Sequence, residues 1–384
     1  MAGRQDTEKQ DGKVSGQKPP LDLAGQKSAV SPQQSSGVYA ALDLGTNNCR
    51  LLVARPAKRG FRVIDAFSRI IRLGEGVSLS GAINNDAMDR TIEALKVCRD
   101  KMNFRRVGRA RTIATQACRS ACNGEEFLSR VREETGLELE VVDQETEARL
   151  AVSGCANLID PAADGVLVFD IGGGSSEIAW LELSGQNRCC PIKVQRNIQA
   201  WTSLPVGVVT LAEKFGGFDV NRDIFEEMVT YVTEMLQKFE TENGIRNLLR
   251  GKRAHLLGTS GTVTTIAGIF LKLPRYERSR VDGCWLTGEQ VSEVNDRLLD
   301  MDFEARAANP CIGKERADLV LAGCAILEAI RRMWPCQKLR VADRGLREGI
   351  LSTLMAEDGV YVPGETRRRR RRGRYPYMTR SRGH

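Results

Sequence analysis

The sequence predicts an α/β fold in which two similar halves face each other across a central cleft. A strand, an aspartate, a turn of small residues and a second strand occur in this order twice, around Asp43 and around Asp170. The two aspartates lie about 127 positions apart. Elsewhere, short apolar strands alternate with longer segments whose apolar residues recur at helical spacing, a pattern typical of α/β domains.

The first domain is predicted over residues 37–160, after a segment, 1–36, that is rich in Gln, Gly, Ser, Pro and Lys and is predicted to be disordered. Its strands are predicted at 38–42, 51–54, 61–66, 68–73, 111–114 and 139–142, with an antiparallel meander early on. Its helices are predicted at 85–102, 125–134 and 145–157. Pro161 and the pair Asp164-Gly165 mark its end.

The second domain, residues 161–357, repeats the opening of the first. Its strands are predicted at 166–169, through Trp180 to Leu183, up to Leu204, and at 254–257 and 339–342. Its helices are predicted at 208–215, 223–242, 263–271, 289–299, 317–333 and 345–355. Residues 358–384 are predicted to form a disordered, arginine-rich tail.

The turn after Phe169 carries the clearest chemical signal. Asp170 is followed by Gly172, Gly173 and Gly174 and then by Ser175. Glycines let a ligand approach the backbone, so that successive N–H groups can point at an anion, and Asp170 is placed to hold a divalent cation. Alone, this motif is equally consistent with an ordinary glycine turn capped by serine.

The turn around Asp43 strengthens the phosphate interpretation, because it repeats the pattern with Gly45, Thr46 and Asn47. Two such turns facing each other would clamp a phosphate chain. Neither matches the Walker pattern, since no Gly-Lys-Ser/Thr follows.

A third candidate contact is the run Gly258-Thr259-Ser260-Gly261-Thr262, which leads from a strand into a helix. Small residues at a helix N-terminus suit an anion or ribose contact, and Gly258, Ser260 and Gly261 are therefore candidates. An ordinary capped helix start is the alternative.

Composition indicates a cytoplasmic protein that does not insert into a membrane. The chain contains no run of 18 apolar residues, and its N-terminus lacks the apolar core of a secretory signal. Its eleven cysteines are scattered without a Cys-x-x-Cys pair, which favours reduced thiols, and two histidines argue against a zinc site.

The positive charge of the chain is concentrated in its tail. Residues 366–384 contain nine arginines and no acid, and the whole chain has a net charge of +8. Such a segment attracts polyanions. A purely solubilising tail is the alternative.

Together the motifs resemble known phosphate-binding proteins. The turns at Asp43 and Asp170 resemble those of the actin, sugar-kinase and Hsp70 superfamily. Residues 114–127, 145–149, 204–207 and 344–349 narrow the resemblance to the exopolyphosphatase and guanosine pentaphosphate phosphohydrolase (Ppx/GppA) family. This resemblance implies two RNase H-like, actin-like ATPase domains and a Mg²⁺-dependent hydrolase of polyphosphate or guanosine pentaphosphate. Homodimers are frequent in the family.

The resemblance also assigns roles to single residues. Glu145 matches the second cleft glutamate of the family and is the predicted general base, with Glu147 the weaker candidate. Asp43, Asp170 and Glu145 are the predicted Mg²⁺ ligands. Glu145 could instead only cap its helix.

Two further assignments depart from the family pattern or stay open. Gln116 stands where family members often carry a cleft glutamate, and glutamine can orient water but cannot take its proton. Arg119 is a candidate phosphate ligand, with a surface arginine as the alternative. A phosphotransferase from polyphosphate to a nucleotide, or a non-catalytic sensor, stays open beside the hydrolase.

Overall fold

Two mixed β-sheets form the framework of the chain. The computed structural model describes residues 37–183 and 190–361, and these lie in one compact unit. The predicted disordered segment 1–36 lies outside the described residues, as do residues 362–384 of the predicted disordered tail. The start of that tail at residue 358 is corrected, because residues 358–361 are described and Asp358 accepts from the Tyr39 hydroxyl at 2.7 Å.

The first sheet has the strand order β3-β2-β1-β4-β5. Its strands are β1 (Tyr39–Leu44), β2 (Asn48–Pro56), β3 (Phe61–Ile70), β4 (Arg109–Ala114) and β5 (Glu140–Val141). The first three form the predicted antiparallel meander, whereas β4 runs parallel to β1. The carboxyl ends of β1 and β4 therefore meet at one edge of the sheet.

Two separate strands were predicted at 61–66 and 68–73, but the structure has a single strand, Phe61–Ile70. Phe67 pairs with Leu51 in the middle of β2 and packs against the core below the sheet. No glycine or proline lies between residues 61 and 70 to interrupt the pairing. The sequence pattern was misleading because this edge strand carries polar residues on both faces.

The second sheet has the order β10-β11-β9-β6-β7-β8. Its strands are β6 (Gly165–Ile171), β7 (Ser176–Glu182), β8 (Ile198–Leu204), β9 (Ala254–Thr259), β10 (Trp285–Thr287) and β11 (Lys338–Ala342). Antiparallel β6, β7 and β8 repeat the meander of the first sheet, and β9 runs parallel to β6. The two sheets thus share the same construction around β1 and β6.

Helices cover both sheets. Within the described ranges these are α1 (Val77–Ser80), α2 (Asn85–Phe104), α3 (Gln116–Ser120), α4 (Gly124–Thr135), α5 (Gln144–Cys155), α6 (Val208–Phe215), α7 (Arg222–Asn243), α8 (Ile245–Leu249), α9 (Gly261–Phe270), α10 (Arg278–Val281), α11 (Gly288–Leu299), α12 (Phe303–Ala308), α13 (Val320–Met333) and α14 (Leu346–Glu357). None of the described helices is both long and apolar enough to cross a bilayer.

Helix α14 packs on the first sheet, although its residues fall within the predicted second domain. Ile350 and Leu351 share a buried cluster with Tyr39 and Ala41 of β1. The physical reason is the apolar face of α14, which fits the side of β1 away from α2. We call the first sheet with α1–α4 and α14 the first lobe, and the second sheet with α6–α13 the second lobe.

Helix α5 joins the lobes by crossing α14 at very close range. A Cβ atom added to Gly154 would lie 1.9 Å from the carbonyl oxygen of Gly345, and one added to Gly349 would lie 2.2 Å from that of Leu150. Helix backbones approach this closely only where side chains are absent. The crossing therefore fixes how α5 is rotated, which decides which of its side chains reach the cleft.

Candidate active site

The two predicted phosphate turns lie across one cleft of about 680 Å³ between the lobes. Gly45, Thr46 and Asn47 line one side, and the turn of Gly172, Gly173, Gly174 and Ser175 lines the other. Within each turn one N–H closes the loop at 2.9 Å, Gly45 N to Asn48 O and Gly172 N to Ser175 O. The turns are thus two tight loops of the same design.

The glycines of the second turn are required by the close approach of the first. A Cβ atom on Gly173 would lie 2.9 Å from Thr46 Cβ, and one on Gly174 would lie 2.9 Å from Thr46 Oγ1. The carbonyl groups of the second turn are occupied elsewhere, since Val208 N and Val209 N donate to Gly172 O and Gly173 O at 3.0 and 2.8 Å. A ligand in the cleft therefore meets little side-chain bulk at this turn.

Of the third predicted contact only part reaches the cleft. Ser260 and Gly261 line it, and Ser260 also caps α9 by accepting from Val263 N at 3.1 Å. Gly258 does not line it: it pairs with Phe169 inside the second sheet, where an added Cβ would lie 2.5 Å from the Phe169 ring. Gly258 is a packing glycine, and its prediction as a phosphate ligand was wrong.

Asp43 and Asp170 both line the cleft, as the strand ends on β1 and β6 predict. Burial raises the pKa of Asp43, while Arg50 and Arg347 act in the opposite direction. Burial and the nearby Glu177 raise the pKa of Asp170 well above its ordinary value, and Asp43 adds to the effect. The charge of Asp43 thus opposes the ionisation of Asp170.

The structure places Glu145 outside the cleft. Its side chain is 47% exposed and accepts from Arg149 Nη2 at 2.6 Å, an i,i+4 pair along the surface of α5. Residues two positions apart on a helix point about 200° away from each other, so that Glu145 faces outward where Glu147 faces inward. Glu145 is not the N-cap either, since the Asp143 side chain accepts from Thr146 N.

Of the two glutamates of α5, Glu147 is the one that lines the cleft. It is 8% exposed, and burial, followed by the charge of Glu177, raises its pKa well above the ordinary value. Arg119 lies 3.4 Å away and lowers it in part. A carboxylate with a raised pKa is matched to accept a proton near neutral pH.

Arg119 does not line the cleft, but it contacts Gln116 and Glu147, which do. Its guanidinium donates to Gln116 Oε1 at 2.6 Å, to Val142 O at 2.6 Å and to Glu147 Oε2 at 3.4 Å. Its prediction as a phosphate ligand was wrong because these three acceptors occupy it. Gln116 does line the cleft, and its amide nitrogen donates to Ser120 Oγ at 2.7 Å.

Three arginines that line the cleft, Arg50, Arg69 and Arg316, were not predicted from the sequence. Arg50 of β2 lines the cleft and lies opposite Asp43 in the strand register. Because β1 and β2 are joined by a short turn, this pairing could have been predicted from the sequence. Arg316 comes from the second lobe, and burial together with Arg50 lowers its pKa. No local signal marks Arg316, because only the tertiary fold brings it to the cleft.

Glu177 lies next to Asp170, because β6 and β7 pair the two residues. It is buried beneath the second phosphate turn and accepts from Ser203 Oγ at 2.8 Å. After burial, which is the larger cause, the charge of Glu177 raises the pKa values of both Asp170 and Glu147.

The carboxylates fit Mg²⁺ bound together with a phosphate substrate. Among the described residues no three acidic, histidine or cysteine side chains are close enough to hold a metal on their own. Mg²⁺ commonly takes one or two carboxylates and completes its shell with water and substrate phosphates. Asp43 and Asp170, which both line the cleft, provide such a donor set, whereas Glu145 does not line it.

The chain is similar to known phosphatases. The sequence pattern of the Ppx/GppA phosphatase family matches residues 52–358. Exopolyphosphatase 2 of Mycobacterium tuberculosis is 27% identical over 328 residues, which are 82% of this chain and 98% of that protein.

Solved structures confirm the predicted pair of actin-like domains around a cleft. The Aquifex aeolicus member of the Ppx/GppA family is 28% identical, with a TM-score of 0.67 over 84% of this chain and 98% of its own. An exopolyphosphatase from Cytophaga hutchinsonii is 24% identical and shares the fold, with a TM-score of 0.73 over 85% and 100% of the two chains. The family pattern spans most of the sequence, and the chain therefore belongs to the Ppx/GppA phosphatase family.

Proposed function

We propose that the protein is an exopolyphosphatase, a hydrolase that releases the terminal phosphate of inorganic polyphosphate. The main support for the proposal is the position of Glu147. This buried carboxylate, whose pKa is raised, lines the same cleft as the two phosphate turns. The relative named exopolyphosphatase 2 supports the choice of substrate.

Substrate binding follows from the lining of the cleft. The terminal phosphate lies in the cleft against both turns, where backbone N–H groups and the Thr46 and Ser175 hydroxyls can donate to it. Arg50 and Arg316 contribute positive charge to the following phosphates. Phosphoryl transfer depends mainly on such positioning and charge neutralisation.

Mg²⁺ is part of the proposal. Asp43 and Asp170 would hold it, and when bound it neutralises charge on the phosphate oxygens. With the cation in place the repulsion between the two carboxylates is relieved, so that metal and substrate are expected to bind together.

Water activation is assigned to Glu147. Its carboxylate accepts the proton of the attacking water, while Arg119 keeps both Glu147 and Gln116 in place. The Oε1 atom of Gln116 has a second lone pair that can orient the water. Gln116 thus retains the positioning role of the glutamate it replaces and gives up the charge.

The proposal is tested by phosphate release from polyphosphate and from guanosine pentaphosphate, side by side, with Mg²⁺. The second substrate is included because a cleft of about 680 Å³ has room for a nucleoside beside its phosphates. We expect free phosphate from polyphosphate. ATP formed from added ADP without free phosphate would show a phosphotransferase, and binding without turnover would show a sensor.

The pH profile gives an independent prediction. Glu147 must be ionised to accept a proton, and its pKa is raised well above the ordinary value by burial and by Glu177. We therefore expect kcat/KM to fall as the pH is lowered through that raised pKa, and to recover as the pH rises. A profile that stays flat down to about pH 5, just above an ordinary glutamate, would contradict the assignment of the base.

For the arginine-rich tail we propose binding of long polyphosphate. Nine arginines without an acid make salt-sensitive contacts with a polyanion, and a tethered segment raises the local substrate concentration. Deleting residues 366–384 should raise KM for long chains at low salt and leave short chains unaffected. An unchanged KM for long chains would leave the tail a solubilising segment. The predicted cytoplasmic location and homodimer stay predictions.

A further inference from the structure

Two sets of polar contacts connect the lobes at the edge of the cleft. They start from residues 71–80 of the first lobe, which we call the strap. Arg72 donates to both carboxylate oxygens of Asp318, at 2.9 and 3.1 Å. Further along, Gly76 N donates to Glu213 Oε1 at 2.8 Å, and Ser78 Oγ donates to the other oxygen of Glu213.

The strap is fastened to the first phosphate turn. Ile71 N and Arg72 N donate to Asn47 O at 2.9 and 3.2 Å, and Gly74 N donates to Thr46 O at 2.9 Å. A Cβ atom on Gly74 would lie 2.2 Å from Thr46 Cγ2, which shows how closely the strap follows the turn. A movement of the strap is therefore also a movement of Thr46 and Asn47.

The two acceptors on the second lobe, Asp318 and Glu213, are each connected to residues of that lobe that line the cleft. Asp318 follows two residues after Arg316, which lines the cleft. Glu213 belongs to α6, whose first N–H groups donate to the carbonyls of Gly172 and Gly173. The strap thus connects the first phosphate turn to Arg316 through one contact and to the second phosphate turn through the other.

The ion pair between Arg72 and Asp318 is less exposed than a typical surface pair. The Asp318 side chain is 11% exposed and that of Arg72 31%, and paired N–H···O bonds in this geometry are stronger than single ones. Arg72 also has φ 47°, in the left-handed region that non-glycine residues seldom occupy. Such backbone strain persists where the surrounding contacts fix the chain.

We propose that Arg72, Asp318 and Glu213 form an interlobe clasp that holds the two phosphate turns and Arg316 in register. Arg72 is a positioning residue, because it acts through the turn and does not line the cleft. The lobes are joined on one side by the crossing of α5 and α14, and the clasp closes them at the edge of the cleft. The kinetic part of this inference rests on the proposed exopolyphosphatase activity.

The test compares Arg72→Met with the matched control Arg332→Met in the full-length protein. Arg332 also donates to both oxygens of a carboxylate, that of Glu226, but within the second lobe. We expect Arg72→Met to lower kcat/KM for polyphosphate by about 10–100-fold, since misplacing reacting groups by about 1 Å can have an effect of that size. In small-angle X-ray scattering without substrate, it should also show a larger radius of gyration. Arg332→Met should change neither.

Two more variants keep the inference falsifiable if Arg72→Met folds poorly. Arg72→Lys keeps the charge and loses the paired donors, so it should lie between wild type and Arg72→Met. Glu213→Ala removes the other contact and should combine less than additively with Arg72→Lys. Wild-type kcat/KM and radius of gyration in Arg72→Lys and Glu213→Ala would overturn the clasp. Absence of phosphate release by the wild type would overturn the proposed function, while scattering still tests the clasp.

Discussion

Glu147→Gln should lower kcat for phosphate release by about 10²–10⁴-fold, the usual contribution of a positioned base. The amide keeps the shape of the side chain and can still accept from Arg119, so that KM should change much less. The fold should be unaffected, because the substitution removes a buried charge whose ionisation the cleft opposes. Steady-state kinetics with short polyphosphate and Mg²⁺ measures both constants.

Glu145→Gln is the matched control, two residues away on the same helix. It removes an ion pair with Arg149 that is about half exposed, and such pairs contribute roughly 0–1 kcal/mol to stability. Activity should therefore remain near that of the wild type. A large loss in Glu145→Gln together with an active Glu147→Gln would restore Glu145 as the base.

Asp170→Asn should change activity and stability in opposite directions. An amide is a poor Mg²⁺ ligand. Mutating even a residue that only supports a metal ligand lowers metal affinity or activity by about 10–100-fold. We therefore expect kcat/KM of Asp170→Asn to fall about 100-fold or more. Stability without Mg²⁺ should rise. The pKa of Asp170 is raised in the folded state, so its ionised form destabilises the fold once the pH exceeds the unfolded pKa.

Thermal unfolding in a chelator measures the second effect, and the Tm of Asp170→Asn should exceed that of the wild type by roughly a few °C. Asp296→Asn, which loses a surface pair with Arg222, should change neither Tm nor activity appreciably. A lower Tm together with lost activity would mean that Asp170 is a structural residue and that no metal role is needed.

Most of the framework could be predicted from the sequence because its signals are local. The apolar runs before Asp43 and Asp170 predict β1 and β6, and the glycines predict the turn that faces Thr46. Helix α6 begins and ends at the predicted residues 208 and 215. Helix α4, predicted to end at residue 134, ends at Thr135, and the left-handed φ of 65° at the following Gly136 is the reason that a glycine stands there.

The assignment of the glutamate failed because helix rotation is a tertiary property. The sequence places Glu145 and Glu147 in the same first turn, and the glycine crossing with α14 decides which of them faces the cleft. One local signal was available: Glu145 and Arg149 have the i,i+4 spacing of an exposed ion pair.

Residues that act across the lobes could not be predicted at all. Arg316 reaches the cleft, and Asp318 meets Arg72, only because two separate sheets are packed together. Gly258 is the opposite case, a residue that was predicted to lie in the cleft and does not. In the sequence it belongs to a run of small residues typical of a phosphate-binding loop, but in the structure it lies inside a strand against the Phe169 ring.

In the proposed reaction, water activated by Glu147 attacks the terminal phosphorus of polyphosphate held by the two turns. It is tested most directly by a single turnover of polyphosphate in ¹⁸O-enriched water, with and without ADP, for the wild type and Glu147→Gln. We expect each released phosphate to carry one solvent oxygen, with ADP having no effect, and the rate to drop at least about 100-fold in the variant. Phosphate appearing in ATP without solvent oxygen, or an equal rate in Glu147→Gln, would contradict it.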